Sequence, residues 1–416
     1  MPFLNHKLPN GLEIIAECSP SAFSAALGFF VRVGARDESL EISGVSHFLE
    51  HMAFKGSGTR TAEDINREFD EIGASYNAMT SYDSTVYYAA VLPEYAEKAF
   101  ELLACLIQPA IRPNDFELEK QVILEEIRMY LDQPPYGVDE ICRGRFFNTH
   151  PLGRSVLGTI ESISQLTPDR MRAYHQQRYT ANNIVVAATG CVDFQKLVEL
   201  AERHCGNLSL EDNERVQLRP EPAYGTHWHH KPSATQQYLI QIAEAPPAST
   251  TERFAARFLT AIVGSSSASR LYWEFIDPGR ADSVSLSYEG YEDAGIFVTF
   301  LSCAPEMLTE NVERLRKVYN EIETDGVTAE ELDRVKNKLA SGLVLAAERP
   351  VSRLFAIGSE RLTTGEYRSV EDDLKIVDTM TLDEVNRVAE KYPLNCSATE
   401  IVGPIAQPSC ELRKMC

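Results

Sequence analysis

Apolar and polar positions along the chain fall into short runs that predict strands and helices in hairpin-then-helix order. Asn10-Gly11 separates two short apolar runs and has the form of a hairpin turn. Residues 23–33 (FSAALGFFVRV) predict a strand ending at Gly34. The stretch GVSHFLEHMAFKGS, residues 44–57, predicts a helix in which Phe48, Leu49 and Met52 supply the apolar positions. Thr61, with Glu63 and Asp64 in the first turn, opens a helix to about Ile72. Two β-rich runs follow, 74–79 and 85–92, and Pro93 starts a helix through Leu106. Asn114 is placed as the cap of a long helix, with Glu117 close to a capping-box position; that helix stops at Asp132-Gln133-Pro134-Pro135. An irregular stretch then precedes a helix opening at Thr167-Pro168-Asp169, a buried strand in NNIVVAATG and a helix over 193–205.

The polar run 209–225, with Pro220 and Pro222, reads as an interdomain linker. It sets domains at 1–210 and 226–416 around a linker at 211–225. The second half repeats the order of elements without repeating the residues: a strand at 236–243, a helix at 251–263, two strands within 283–302 divided at Glu289-Gly290, and helices at 305–323 and 329–347. MTLDEVNRVAEKY stands where LTPDRMRAYHQQRY stood in the first half. Strands and helices do not alternate as βαβ, so the expected class is α+β, each domain an antiparallel sheet covered by helices on one face.

Composition narrows the function classes. A chain of 416 residues that is 44% hydrophobic suits two globular domains. No apolar run approaches the roughly 20 residues that span a bilayer. The net charge of −21 lacks the basic footprint that nucleic acid requires. The 9 cysteines are odd in number, scattered and without a C-x-x-C pair, which points to reduced thiols and a cytoplasmic protein rather than to a disulfide framework or a cysteine-zinc site.

The chemistry sits in the first half. His47 and His51 are four residues apart, so on a helix both imidazoles stand on one face and reach one ion. Glu50 lies on the same side, within reach of a water whose pKa zinc lowers to about 7. Catalytic zinc takes three protein ligands and leaves a position open. The strongest source of a third ligand is NDFELEKQVILEEIRMYLD, where Glu119 and Glu126 share a face among Val122, Ile123 and Ile127. Glu125 lies about 100° away and is expected to face solvent. A charged amphipathic helix and a helix with two surface histidines would give the same letters separately; their combination favours a metal.

At this point the chain resembles the M16 zinc peptidases, the inverzincins, whose signature is H-x-x-E-H. The family's third ligand is a glutamate about 75 residues past the second histidine, often in V-x-L-E-E-I; Glu126, in VILEEI, stands at that separation from His51. GVSHFLEHMAFKGS, YNAMTSYDSTVYYAAVLPE, HPLGRSVLGT and SRLYWEF agree with the short form of the family, which includes the mitochondrial processing peptidase β subunit and bacterial relatives. The resemblance implies two homologous domains of the LuxS/MPP-like type, the second without a metal site. It implies Zn2+ held by His47, His51 and Glu126, Glu50 as general base, Glu119 as a supporting acid, an edge strand at Asn77 and Ala78 that pairs with the substrate backbone, and Phe54 near the residue after the cut. It further implies an endopeptidase acting on peptides or unfolded segments inside a chamber closed by two chains. The family's second half carries an Arg-x6-Tyr clamp on the substrate carbonyl. Here Asp277 and Val284 take those places, and Arg280 is out of register. The expected arrangement is therefore a homodimer, or a zinc-bearing subunit paired with a homologous partner that supplies the clamp; the alternative is a noncatalytic structural subunit of the same fold.

Overall fold

Strong hydrophobic periodicity and clear caps place most elements where the sequence puts them. The structure, a computed structural model, describes residues 2–211, 215, 218–264 and 267–406. In chain order the elements are β1 (Phe3–Lys7), β2 (Glu13–Cys18), β3 (Ala25–Val31), α1 (Val45–Ala53), α2 (Ala62–Glu71), β4 (Ser75–Thr80), β5 (Thr85–Val91), α3 (Ala96–Leu106), α4 (Pro113–Asp132), α5 (Val138–Phe147), α6 (Ile160–Gln165), α7 (Pro168–Arg178), β6 (Ile184–Gly190) and α8 (Phe194–Cys205). They continue as β7 (Gly225–His230), β8 (Gln237–Ala245), α9 (Glu252–Val263), β9 (Ser283–Gly290), β10 (Gly295–Cys303), α10 (Leu308–Asp325), α11 (Ala329–Ala347), α12 (Pro350–Thr364), α13 (Val370–Thr379), α14 (Leu382–Lys391) and β11 (Ser397–Gly403).

Local chemistry explains several boundaries. Thr61 and Asp64 close a reciprocal capping box on α2, and Thr167 caps α7 with Pro168 at its first position. α4 begins at Pro113, so Asn114 lies inside the helix rather than capping it. The stretch expected to be irregular after Pro135 contains α5 and α6. The turn of the later hairpin falls between Gly290 and Gly295, beyond Glu289-Gly290. Residues 212–214 and 216–217 of the expected linker lie outside the described residues.

The chain forms two compact units that are not contiguous in sequence: Met1–Ile127, Arg154–Val216 and Leu343–Glu371 make the first, and Arg128–Gly153, Gln217–Gly342 and Asp372–Cys416 the second. These differ from the uninterrupted blocks 1–210 and 226–416. The sheet of unit 1 has the order β1-β2-β6-β3-β5-β4, and that of unit 2 the order β7-β11-β8-β10-β9. Leaving out β1, the two sheets are wired alike. The first strand runs parallel to the last, and every other neighbouring pair is antiparallel. The sheets are thus mixed rather than purely antiparallel, because β6 returns parallel to β2 and β11 parallel to β7.

In unit 1, β3 is buried along its whole length, and its two faces feed different cores. Leu27, Phe29 and Val31 join the main core with Phe48, Leu49, Phe100 and Leu103 from the helices. Ala26 and Phe30, on the opposite face, pack with Ile15, Val185, Leu354 and Ile357. Helices therefore cover both faces of this sheet, the second face by α12 from far along the chain. Gly358 permits that contact, since a Cβ there would lie 2.4 Å from the Phe30 ring. The contact is sealed by a buried ion pair. Arg353 Nε and Nη2 donate to Glu17 Oε2 and Oε1 at 2.8 and 2.5 Å, and Tyr367 Oη donates to Glu17 Oε1 at 2.7 Å. In unit 2, α5 packs on β8 and β11, where the fully buried Glu400 accepts from Arg145 and pairs with His229 at 2.6 Å.

Cys18, Cys105, Cys142, Cys191, Cys205 and Cys303 are free thiols, as the scattered spacing suggested; Cys396 departs from that expectation in being disulfide-bonded. No described helix is long and apolar enough to cross a membrane.

Arg353→Ala strands the buried Glu17 carboxylate. It is expected to destabilise the protein by about 3–5 kcal/mol, read as a drop in urea midpoint. Lys317→Ala, which removes half of the exposed Lys317–Glu321 pair, is expected to shift the same midpoint by under about 0.5 kcal/mol.

Candidate metal centre

α1 is fixed at its start by backbone geometry. Gly44 precedes it with φ 88°, and a Cβ there would fall 2.5 Å from the Leu157 carbonyl oxygen. The helix has no side-chain cap from Gly44; instead the buried Glu38 carboxylate accepts from the Gly44 and Ser46 amides at 2.6 and 2.8 Å. Burial pushes the Glu38 carboxyl up to about 8, against the lowering effect of those two amides. Ser46 Oγ in turn bonds Tyr174 Oη at 2.8 Å. α1 meets α4 where the Phe48 ring stacks on Phe116, with centroids 4.6 Å apart; within α4, Lys120 Nζ lies 5.0 Å over the same Phe116 ring.

That packing brings three donors together. One ligand atom each from His47, His51 and Glu126 lie within 4.8 Å of one another, the one such cluster of metal-binding side chains among the described residues. His47 Nε2 is 3.8 Å from Glu126 Oε1, and His51 Nε2 is 3.7 Å from Glu126 Oε2. A tetrahedral zinc ion with ligands about 2.0–2.2 Å away holds them roughly 3.3–3.6 Å apart, so the group fits such an ion with little adjustment. Burial, with the neighbouring His51, pushes His47 down to about 3 and keeps its lone pair free for a cation. Burial also acts against charging His51, but the Glu119 hydrogen bond and the charges of Glu126, Glu119 and Glu50 outweigh it, and the net shift is upward. His51 Nδ1 bonds Glu119 Oε1 at 2.8 Å, and Lys55 Nζ meets the other oxygen at 2.5 Å. Burial would raise Glu119, yet the His51 and Lys55 bonds prevail and hold it low. An anionic carboxylate on Nδ1 fixes the His51 tautomer with Nε2 as acceptor. His47 Nδ1 has no hydrogen-bond partner among the described residues.

Glu50 stands one residue before His51, half-buried. Burial raises its pKa, opposed first by the Thr80 hydroxyl, which donates to Oε2 at 2.5 Å. A carboxyl poised upward beside a cation site can take and return a proton.

Around this cluster, Asn77 is exposed and Ala78 buried on β4, the outer strand of the unit 1 sheet. Phe54 ends α1, packed partly against the main core with its ring 6.1 Å from Tyr76. Glu125 is exposed, as expected; Val122 is also 49% exposed, so it does not enclose Glu119 as the helix pattern suggested. Asp277, Val284 and Arg280 all belong to unit 2. Val284 lies on the outer strand β9, and Arg280 Nη1 is held by the Glu274 carbonyl and carboxylate at 2.6 and 3.1 Å. The sequence pattern alone did not single out Glu38, Lys55 or Thr80. Each acts across a turn or between elements, and no spacing rule links them to the histidines.

The chain is similar to known proteins over nearly its whole length. A family model described as insulinase (peptidase family M16) matches residues 13–160, and one described as peptidase M16 inactive domain matches residues 165–339. An uncharacterized zinc protease of Mycobacterium leprae is 32% identical over 96% of this chain and 91% of its own length. The uncharacterized zinc protease YmxG of Bacillus subtilis is 30% identical over 95% and 97%. A solved protease structure from Helicobacter pylori superposes with TM-score 0.88 at 21% identity, covering 97% of this chain and 100% of that one.

Glu119→Gln removes the charge that fixes the His51 tautomer. It is expected to weaken divalent zinc binding by about 10–100-fold in chelator competition, with the fold retained.

Proposed function

Since the chain belongs to peptidase family M16, we propose that it is a zinc-dependent endopeptidase that cleaves peptides or unfolded segments. The observation that carries this reading is the convergence of His47 Nε2, His51 Nε2 and Glu126 on one point, with Glu50 on the same helical turn. A scaffold has no physical need for that set of donors.

Zinc held by His47, His51 and Glu126 would supply Lewis acidity and lower the pKa of a water to about 7. The residues do the rest. His47 and His51 present Nε2, Glu126 presents its carboxylate, and Glu119 with Lys55 orients His51. Glu50 takes the proton of the attacking water and returns it to the departing amine. The outer strand β4, at Asn77 and Ala78, offers its outer edge to an extended peptide, which would displace the Asn77 carboxamide from the Ala78 amide; this mode selects backbone shape more than side-chain sequence. Phe54 is assigned to the pocket for the residue after the cut.

The Arg-Tyr clamp of the family is replaced by Asp277 and Val284, and Arg280 is engaged by Glu274. We therefore assign the protein the zinc-bearing role in a pair whose homologous partner supplies the clamp and helps to enclose a chamber, in the cytoplasm of a bacterium like those of its relatives.

The experiment is peptide hydrolysis by the chain alone and mixed with a clamp-bearing homologue. The mixture should exceed the chain alone by at least about 10-fold, the scale of one lost transition-state contact to a charged group; equal rates would remove the partner. Glu50→Gln should keep zinc and lose turnover, whereas His51→Ala should lose both. Zinc-bearing protein with no cleavage in either setting would favour a noncatalytic subunit instead.

A further inference from the structure

β4 does more than offer an edge. Ser81 N donates to Ser84 O at 2.8 Å and closes the β4–β5 hairpin. Backbone hydrogen bonds in an antiparallel ladder alternate, so Met79 and Asn77 turn their amides toward β5, while Thr80 and Ala78 turn theirs outward. The outward amide of Ala78 is taken by the Asn77 carboxamide, Ala78 N donating to Asn77 Oδ1 at 2.9 Å. Side chains alternate in the same way. Ala78 is 7% exposed and packs into the main core on the helix side, so Thr80, two residues on, faces the same side. Its hydroxyl meets α1 there and donates to Glu50 Oε2 at 2.5 Å.

We propose that Thr80 is a positioning residue for Glu50: its hydroxyl anchors the carboxylate to the strand along which a peptide pairs, so one rigid element sets both the register of the peptide and the place of the base. A carboxylate on a helix surface otherwise swings through several rotamers, and a base displaced by about 1 Å from its productive position loses much of its effect. The hydrogen bond is charge-assisted and half-buried, the kind that holds a geometry well. The inference rests on the reading of Glu50 as base beside a zinc site.

The test is a double-mutant cycle on zinc-loaded protein, read by calorimetric affinity for a peptide hydroxamate, a ligand that binds the metal and hands its proton to the base without needing turnover. Thr80→Val should lower affinity by about 10-fold or more, with zinc content unchanged. Thr80→Ser, which keeps the hydroxyl, should restore it. Glu50→Gln should lower affinity as well, and Thr80→Val added to Glu50→Gln should cost nothing further, because Thr80 acts through Glu50. Full affinity in Thr80→Val, failure of Thr80→Ser to rescue, or additive losses in the double variant would each overturn the inference while leaving the base in place. Unchanged affinity in Glu50→Gln, or no hydroxamate binding by the zinc-loaded wild type, would instead bring down the reading beneath it, and the inference with it.

Discussion

The site depends on the distance between α1 and α4. Two histidines one turn apart present a pair of nitrogens to whatever lies opposite, and a carboxylate becomes their partner only if its helix approaches closely enough. The stacked Phe48 and Phe116 rings set that approach. They are large, rigid and fully buried, so they act as a spacer whose thickness cannot drift. From this one contact follow the meeting of Glu126 with both imidazoles and the reach of Glu119 to the far nitrogen of His51. The amides at the head of α1, held by Glu38, stop the helix from rotating about that spacer. Rotation matters because one residue step turns a side chain through about 100°.

Much of this could be read from the letters. A four-residue spacing on a helix fixes a face, so the paired histidines and Glu50 were visible, and seven-residue spacing put Glu119 and Glu126 on one side of α4. The caps at Thr61 and Thr167 announced their helices because capping is local chemistry. The illegible parts are contacts that sequence distance hides. The hydrogen bond of Thr80 to Glu50 joins a strand end to a helix. Lys55, in the turn after α1, meets Glu119 on α4. Val122 is more exposed than the pattern of α4 predicts, because an amphipathic pattern gives the axis of the apolar face but not its width. α5 is not legible as an amphipathic helix because Arg143 and Arg145 interrupt its apolar face; both are neutralised by acids brought in from strands far along the chain, Glu289 and Glu400.

The likeness of the two sheets says something about where chemistry is placed on a duplicated plan. β3 and β4 are separated by α1 and α2, and the corresponding β8 and β9 are separated by α9. α9 is mostly buried, with Ala255, Ala256, Leu259, Ile262 and Val263 among its buried residues and no histidine in it. The same position in the plan thus serves as a reactive helix in one unit and as plain filling in the other. A shared topology predicts the scaffold, and the side chains decide the function.

The covering of the first sheet by α12 has a consequence for how such a protein can be made and remade. Phe30, Ile15 and Ala26 have no shelter until residue 350 has left the ribosome, and α5 waits in the same way for β8 and β11. A gene cut at the linker would yield two fragments, each with a bare greasy face and each carrying the helix the other lacks. Each half therefore depends on a helix encoded in the other for the cover of one sheet face.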